Sequence, residues 1–275
     1  MSRPTDEQRA FRDFEHAGWK GVAREYHDYF APLTSQALRP LLAAAGARPG
    51  MRLLDACSGP GYAAAAAAEQ GAATIGMDFS PPMVAHASRH YPRVQFVVGD
   101  AEELPFAQEN LDAVVTNFGL LHLARPERFL QEAHRVLRPG GRVAFTVWAP
   151  PEEAAGFGII LDAIQTHGNA ATPLPPGPPF FRFSDASECV RVLHGAGFEN
   201  AGVRRVAQLW RLQDSDGLFQ AMLGGTVRTG GLLRAQTPQA LAAIRRAVRA
   251  AVESHRSQHG FELSMPAVLA SAVKP

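Results

Sequence analysis

The sequence predicts an α/β fold: a mostly parallel sheet of seven strands with helices on both faces, an N-terminal helical cap and helical insertions. Three observations predict it. Short apolar runs alternate with helical patterns between residues 51 and 148, the mark of strand–helix–strand units. Gly and Pro punctuate the ends of those runs, as at Pro49-Gly50 and Gly71. The chain's 275 residues, 46% hydrophobic and 19% charged, suffice for a full core without staples, which excludes a wholly disordered chain.

The elements follow in order. Phe11, Phe14 and Trp19, then Tyr26, Tyr29 and Phe30, lie at helical spacing. Thr34 is expected to cap a helix through Leu38, Leu41 and Leu42 that ends at Gly46. Met51 to Ala56 is the first strand, and an Ala-rich helix runs from Tyr62 to Glu69. Ala73 to Met77 is the second strand, ending at Asp78; Ser80 should cap the next helix, led by Pro81-Pro82. Val94 to Val98 and Leu111 to Thr116 are the third and fourth strands. A helix from Pro126 to Leu137 and a turn at Arg138 to Gly141 lead to the fifth, Arg142 to Trp148. Beyond it come a helix from Glu152 to His167, a Pro-rich loop from Thr172 to Phe181 and a helix capped by Ser184. A sixth strand from Val203 to Leu212, two helices between Asp214 and His259, and a last strand from Phe261 to Val273 complete the chain. The reading is one domain, 1–275: a cap over 1–48, a binding core over 49–150, and substrate-side insertions with closing strands over 151–275.

Charge and cysteine content narrow the function. Lys+Arg is 27 against Asp+Glu 26, so the basic excess of a nucleic-acid binder is missing. Cys57 and Cys189 stand alone, with no Cys-x-x-Cys pattern, and no His/Cys/Asp cluster has metal-ligand spacing, so no metal is expected. The opening Met1 to Glu7 is polar and apolar runs are short; neither a secretory signal nor a membrane span is expected, and the cytoplasm is the default location. No sequence signal speaks to oligomeric state.

The chemistry concentrates at the ends of the first strands. Right-handed crossovers put those ends on one rim, where ligands bind in such sheets. Gly59 and Gly61 let backbone approach a ligand closely, and the following helix offers free N–H groups at its start. Asp78, 23 positions beyond Asp55, can accept from ribose hydroxyls. Gly59 to Ala64 also satisfies the dinucleotide pattern G-x-G-x-x-G/A, which keeps an NAD-dependent oxidoreductase open. Asp55 disfavours it, because a carboxylate there repels pyrophosphate and suits an ammonium group. Gly99-Asp100-Ala101-Glu102 can accept from an adenine amino group. A ligand with an amine, a sugar and an adenine fits all three places, and S-adenosyl-L-methionine is such a molecule.

At these residues the chain resembles the class I S-adenosylmethionine-dependent methyltransferases, in particular the methyltransferase-11/UbiE-like group that acts on small molecules. The resemblance rests on Leu53 to Gly61, Gly76 to Ser80, Gly99 to Phe106 and Glu132 to Gly141, and covers about residues 50–150. It implies a Rossmann-like fold and methyl transfer to a small-molecule acceptor. It further implies that Asp55, Ala56, Ser58, Gly59 and Gly61 cradle the methionine portion and that Asp78 holds the ribose. Phe79 and Met83 would pack on the adenine, Asp100, Ala101 and Glu102 would read its edge, and Asn117, Phe118 and His122 would face the methionine end and the acceptor. The family usually has Gly where Cys57 stands.

Methyl transfer from a sulfonium needs in-line placement and exclusion of water more than acid–base chemistry. Trp19, Tyr26, Tyr29, Phe30, Phe180 and Phe181 are candidate covers, and Tyr26 a candidate contact to the donor. For a hydroxyl acceptor, O-methylation being the commonest outcome, His122 is the first choice of base, ahead of His16 and His27. A donor-binding scaffold without turnover is the reading from outside the enzymes.

Overall fold

A computed structural model describes residues 3–171 and 174–275. Five strands, β1 (Arg52–Ala56), β2 (Ala73–Asp78), β3 (Gln95–Val98), β4 (Leu111–Asn117) and β5 (Leu137–Trp148), form the parallel body of a seven-stranded sheet. Strand β6 (Glu199–Val206) lies at the edge and β10 (Ala267–Val273) runs antiparallel between β5 and β6. The order β3-β2-β1-β4-β5-β10-β6 reverses direction of growth between β1 and β4, which is where a doubly wound sheet opens a crevice. The central strands are buried along nearly their whole length, β4 through six of seven positions, as expected of strands covered on both faces.

The helices that cover the sheet begin with α1 (Asp6–Thr34), α2 (Leu38–Ala44), α3 (Tyr62–Glu69), α4 (Pro81–His90) and α5 (Pro126–Val136). The insertions add α6 (Ala155–His167), α7 (Ala186–Gly195), α8 (Gly217–Gly225), α9 (Arg228–Arg234) and α10 (Pro238–Glu253). Helix α1 is one continuous 29-residue rod with Thr5 as its N-cap. It runs through Pro32, whose missing N–H falls in the last turn, where the loss of one bond to an exposed carbonyl is tolerated.

Several local expectations are corrected. Thr34 caps nothing; its hydroxyl donates back to Phe30 O at 2.9 Å, and a short 3-10 turn, Ser35–Ala37, joins α1 to α2. Ser80 sits at the N-cap of α4 without a side-chain cap bond. Asp185, not Ser184, caps α7, accepting from Ser187 N at 2.8 Å. The expected sixth strand is two strands, β6 and β7 (Leu209–Leu212), and the last is β9 (Gly260–Ser264) followed by β10. Strand β9 pairs with β7 on one side and with β8 (Arg256–Ser257) on the other in a separate three-stranded antiparallel sheet. Pro266, which has no N–H to donate, stands at the break between β9 and β10. The segment 214–259 holds three helices rather than two. Of the Pro-rich loop, Thr172 and Pro173 lie outside the described residues, and Arg182–Ser184 forms a 3-10 turn after it.

Candidate functional site

Three carboxylates converge at the rim where β1, β2 and β3 end. The chain leaves β1 through Cys57 (φ +56°), Gly59 (φ +51°) and Gly61 (φ +91°) before entering α3. Asp55 Oδ2 accepts from Ala64 N at 2.9 Å, tying the strand end to the helix's first turn. Its other oxygen is buried without a partner, as is Ser58 Oγ. Burial pushes the Asp55 carboxyl up to about 8, against the pull of the Ala64 N–H. Asp78 accepts from Gly59 N at 2.8 Å and from Ser80 N at 2.9 Å. Burial raises it to about 6, the two N–H groups opposing. Asp100 accepts from Glu102 N at 2.8 Å, and its second oxygen lies 3.6 Å from Arg12 Nη1 on α1.

These groups line one cleft of about 1280 Å³, part of it open to solvent. Tyr26, Ser58, Gly59, Phe79, Met83, Ala101, Glu102, Asn117, Phe118 and His122 line it with them. Ala56 and Gly61 do not line it. Ala56 is fully buried in the strand, and a Cβ at Gly61 would stand 2.7 Å from Phe96 Cζ and 3.0 Å from Ala87 Cβ. Gly61 therefore permits close packing of α3 on β3 and α4. Two other sequence candidates face the cleft with their polar groups committed elsewhere. Glu102 holds Arg125, through its backbone N at 2.8 Å and its Nε at 2.7 Å. Asn117 donates to Thr34 O at 3.1 Å and accepts from Thr146 Oγ1 at 2.6 Å.

A second network braces the segment after β3. Glu132 on α5 accepts from Leu104 N at 3.0 Å, and Arg135 donates to the carbonyls of Phe106 and Leu104 at 2.8 and 2.9 Å. Arg135 and Arg128 hold the Glu132 carboxyl below its usual range despite burial. Glu132 and Arg135 thus brace the loop that carries Asp100 and Ala101.

The roof is aromatic. Trp19, Tyr26 and Phe30 from α1 line the cleft with Phe180, Trp148 and Phe157. Tyr26 stacks on Phe30 at 5.3 Å, and burial lifts its hydroxyl to about 12. Phe118, in the left-handed region at φ +59°, stacks on Trp148 at 4.0 Å. Tyr29 and Phe181 are not in the lining; Tyr29 O accepts from Trp210 Nε1 at 3.2 Å and Phe181 packs on Phe157 at 5.4 Å. The Cys57 thiol is pushed well above its ordinary value by burial and then by Asp78 and the other carboxylates, so at neutral pH it is a protonated space-filler.

His122, in the 3-10 turn Leu120–His122, places Nδ1 3.0 Å from Glu15 Oε2. Glu15 is fully buried on α1, and the same oxygen accepts from Trp19 Nε1 at 3.0 Å. Glu15 is the site residue that sequence reading missed. A carboxylate on the apolar side of α1 one turn from Trp19 was the available signal, but nothing in the sequence joined it to a histidine 107 positions away. The weaker base candidates are engaged elsewhere: His16 Nε2 meets Phe79 O at 3.0 Å and His27 meets the Tyr62 hydroxyl. Among the described residues no group of three or more His, Cys, Asp or Glu has the geometry to hold a metal ion.

Residues 54–145 match the family model described as "Methyltransferase domain". A demethylmenaquinone methyltransferase of Beutenbergia cavernae is 36% identical over 178 residues, 61% of this chain and 74% of that protein. One of Renibacterium salmoninarum is 37% identical over 113 residues, 41% of this chain, and the chain spans about half (48%) of its length. A Haemonchus contortus phosphoethanolamine N-methyltransferase 2, solved with phosphomonomethylethanolamine and S-adenosylhomocysteine, shares the fold at TM-score 0.58 and 20% identity. That superposition covers 96% of this chain and 60% of the other.

Proposed function

The chain belongs to the class I S-adenosylmethionine-dependent methyltransferases, and from that premise we propose that it moves a methyl group from S-adenosyl-L-methionine to the hydroxyl of a small, apolar or aromatic acceptor. The observation that carries the reading is the buried, half-satisfied Asp55. A buried carboxylate with one unpartnered oxygen is destabilised, and a ligand ammonium supplies the missing partner.

The residues present fit the donor. Asp55, with Ser58 Oγ and the Gly59 turn, would hold its amino-acid end. Asp78 would take the ribose hydroxyls on its remaining lone pairs, Phe79 and Met83 would flank the adenine, and Asp100 with Ala101 N would meet the adenine edge. Tyr26 and Phe118 would border the sulfur, with Trp19, Trp148, Phe157 and Phe180 walling the acceptor. When bound, the donor supplies a methyl carbon on a sulfonium, open to in-line displacement. The chain's contribution is to hold the acceptor oxygen on that line, worth up to about 7–11 kcal/mol in well-oriented systems, and to keep water out with the aromatic roof. His122 would take the hydroxyl proton. Cap, core and insertions over 1–275 act as one unit, in the cytoplasm, with a small-molecule acceptor and no nucleic acid. No helix among the described residues is long and apolar enough to cross a membrane.

The test is titration calorimetry with S-adenosylhomocysteine, followed by transfer from methyl-labelled donor to a panel of phenols, amines and carbon acids. The reading expects binding by the parent, binding weakened about 10- to 100-fold by Asp78→Ala and Asp100→Ala, and label on oxygen. Parent-strength binding by both variants would overturn the site, and label on nitrogen or carbon would overturn the acceptor class.

A further inference from the structure

We propose that Glu15, delivered by the N-terminal helix, is the positioning residue for His122: it fixes the imidazole as the Nδ1–H tautomer and so leaves the Nε2 lone pair to take the acceptor's proton. The inference rests on the methyl-transfer reading for its use, but not for its structural content. Trp19 Nε1 can only donate, and it spends its hydrogen on Glu15 Oε2 at 3.0 Å. A carboxylate accepts, so the ring nitrogen 3.0 Å from the same oxygen, His122 Nδ1, carries the proton. In a neutral imidazole the other nitrogen is then the acceptor.

The surroundings support a fixed ring. Trp19 meets the His122 ring edge-on at 4.8 Å and Phe180 meets it at 6.0 Å. Glu15 is fully buried, and its second oxygen has no partner. A buried carboxylate stays in such a place when it has charge to answer. Burial lowers the pKa of Arg228 and the Glu15 charge opposes that, the guanidinium lying between the rings of Phe11 (5.2 Å) and Phe180 (5.4 Å). In the transfer step His122 Nε2 accepts the hydroxyl proton as the O–CH3 bond forms and the S–CH3 bond breaks, its electron pair staying on sulfur. Glu15 then faces the imidazolium. Because Glu15 sits on α1 and His122 follows β4, the base is oriented only while α1 lies across the cleft.

The tautomer is read directly by long-range proton–nitrogen NMR on protein labelled with nitrogen-15 histidine and bound to S-adenosylhomocysteine, with His122 assigned by loss of its signals in His122→Gln. The parent should show a single form of His122 with the proton on Nδ1. Glu15→Gln, whose amide can donate as well as accept, should lose that single form, and Glu15→Asp should recover part of it. Trp19→Phe, which keeps the carboxylate, should retain it and guards against a Glu15 variant that fails to fold. A parent His122 protonated on Nε2, or a folded Glu15→Gln with the parent's spectrum, overturns the proposal. Failure of S-adenosylhomocysteine to bind the parent, with the tautomer as stated in the free protein, overturns the methyl-transfer reading and leaves the Glu15–His122 pairing standing.

Discussion

Asp78 reaches back 19 residues to accept the backbone N–H of Gly59 at 2.8 Å, so the carboxylate at the end of β2 holds the turn at the end of β1. Its other oxygen takes Ser80 N at 2.9 Å. One side chain therefore sets the shape of two loops and faces the cleft they enclose.

Asp78→Asn and Asp100→Asn should differ for that reason. An amide has one accepting oxygen, so at position 78 one of two N–H groups would face an NH2. We expect Asp78→Asn to lose about 1–3 kcal/mol of stability as well as S-adenosylhomocysteine binding. Asp100 has a single backbone N–H to satisfy, so Asp100→Asn should melt like the parent and bind more weakly. Thermal melts beside calorimetry separate the two; equal melting temperatures for both variants would contradict the shared-clamp role.

Cofactor binding should release protons. Burial raises Asp55 to about 8 and Asp78 to about 6, so ligand-free protein holds Asp55 largely protonated at neutral pH. A ligand ammonium favours the ionised form, and affinity for S-adenosylhomocysteine should rise as pH goes from about 6 to about 8. Calorimetry in two buffers of different ionisation enthalpy measures the protons; net uptake would contradict the assignment. The same shifts have a stability consequence. A carboxyl with a raised native pKa contributes stability below its unfolded value that is lost as pH climbs through the native one, so ligand-free protein should soften between about pH 4 and pH 8 from this source.

Cys57→Gly should stabilise the fold. Cys57 is a non-glycine residue at φ +56°, a conformation costing an L-residue about 1–2 kcal/mol. Glycine removes that cost and gives back about 0.5–1 kcal/mol in chain entropy. A net gain near 0.5–1 kcal/mol, about 1–3 °C in melting temperature, is expected, with S-adenosylhomocysteine still bound. A lower melting temperature would show that the thiol's packing outweighs the backbone term.

The seam between α1 and α4 should weaken in acid. His86 and His90 stack at 4.0 Å, with His27 from α1 4.9 Å from His86. Burial, then His90, His27 and Arg89, lower the pKa of His86, with Asp28 opposing; its Nε2 is buried without a partner. A lowered native pKa means the unfolded chain binds the proton first, so this stability is present above the ordinary histidine value and lost as pH falls through the window beneath it. The melting temperature of His86→Gln, relative to the parent, should therefore rise between about pH 7.5 and about pH 5. A constant difference would remove His86 from the account.

The part of the site written in contiguous sequence was legible. Asp55, Asp78 and Asp100 stand at or just past the ends of strands whose apolar runs are plain, and parallel winding alone brings strand ends to one rim. What sequence hid depends on contacts between distant elements. Ser80 and Ser184 are good capping types, yet Asp78 and Asp185 supply the oxygens nearby N–H groups use. Val203 to Leu212 reads as one strand, but its two halves pair with different partners, β10 and β9. The Glu15–His122 contact joins an N-terminal helix to the loop after β4, and no local pattern encodes such a pairing.

Helix α1 is fastened unevenly along its length. Near its C-terminal end the carbonyls of Tyr29, Leu33 and Thr34 receive donors from Trp210, Gln208 and Asn117. Its front half meets the rim through His16 at Phe79, Arg12 at Asp100 and Glu15 at His122. The Glu15–His122 contact thus serves twice: it ties the front of α1 to the rim and it holds the imidazole, so losing it costs both.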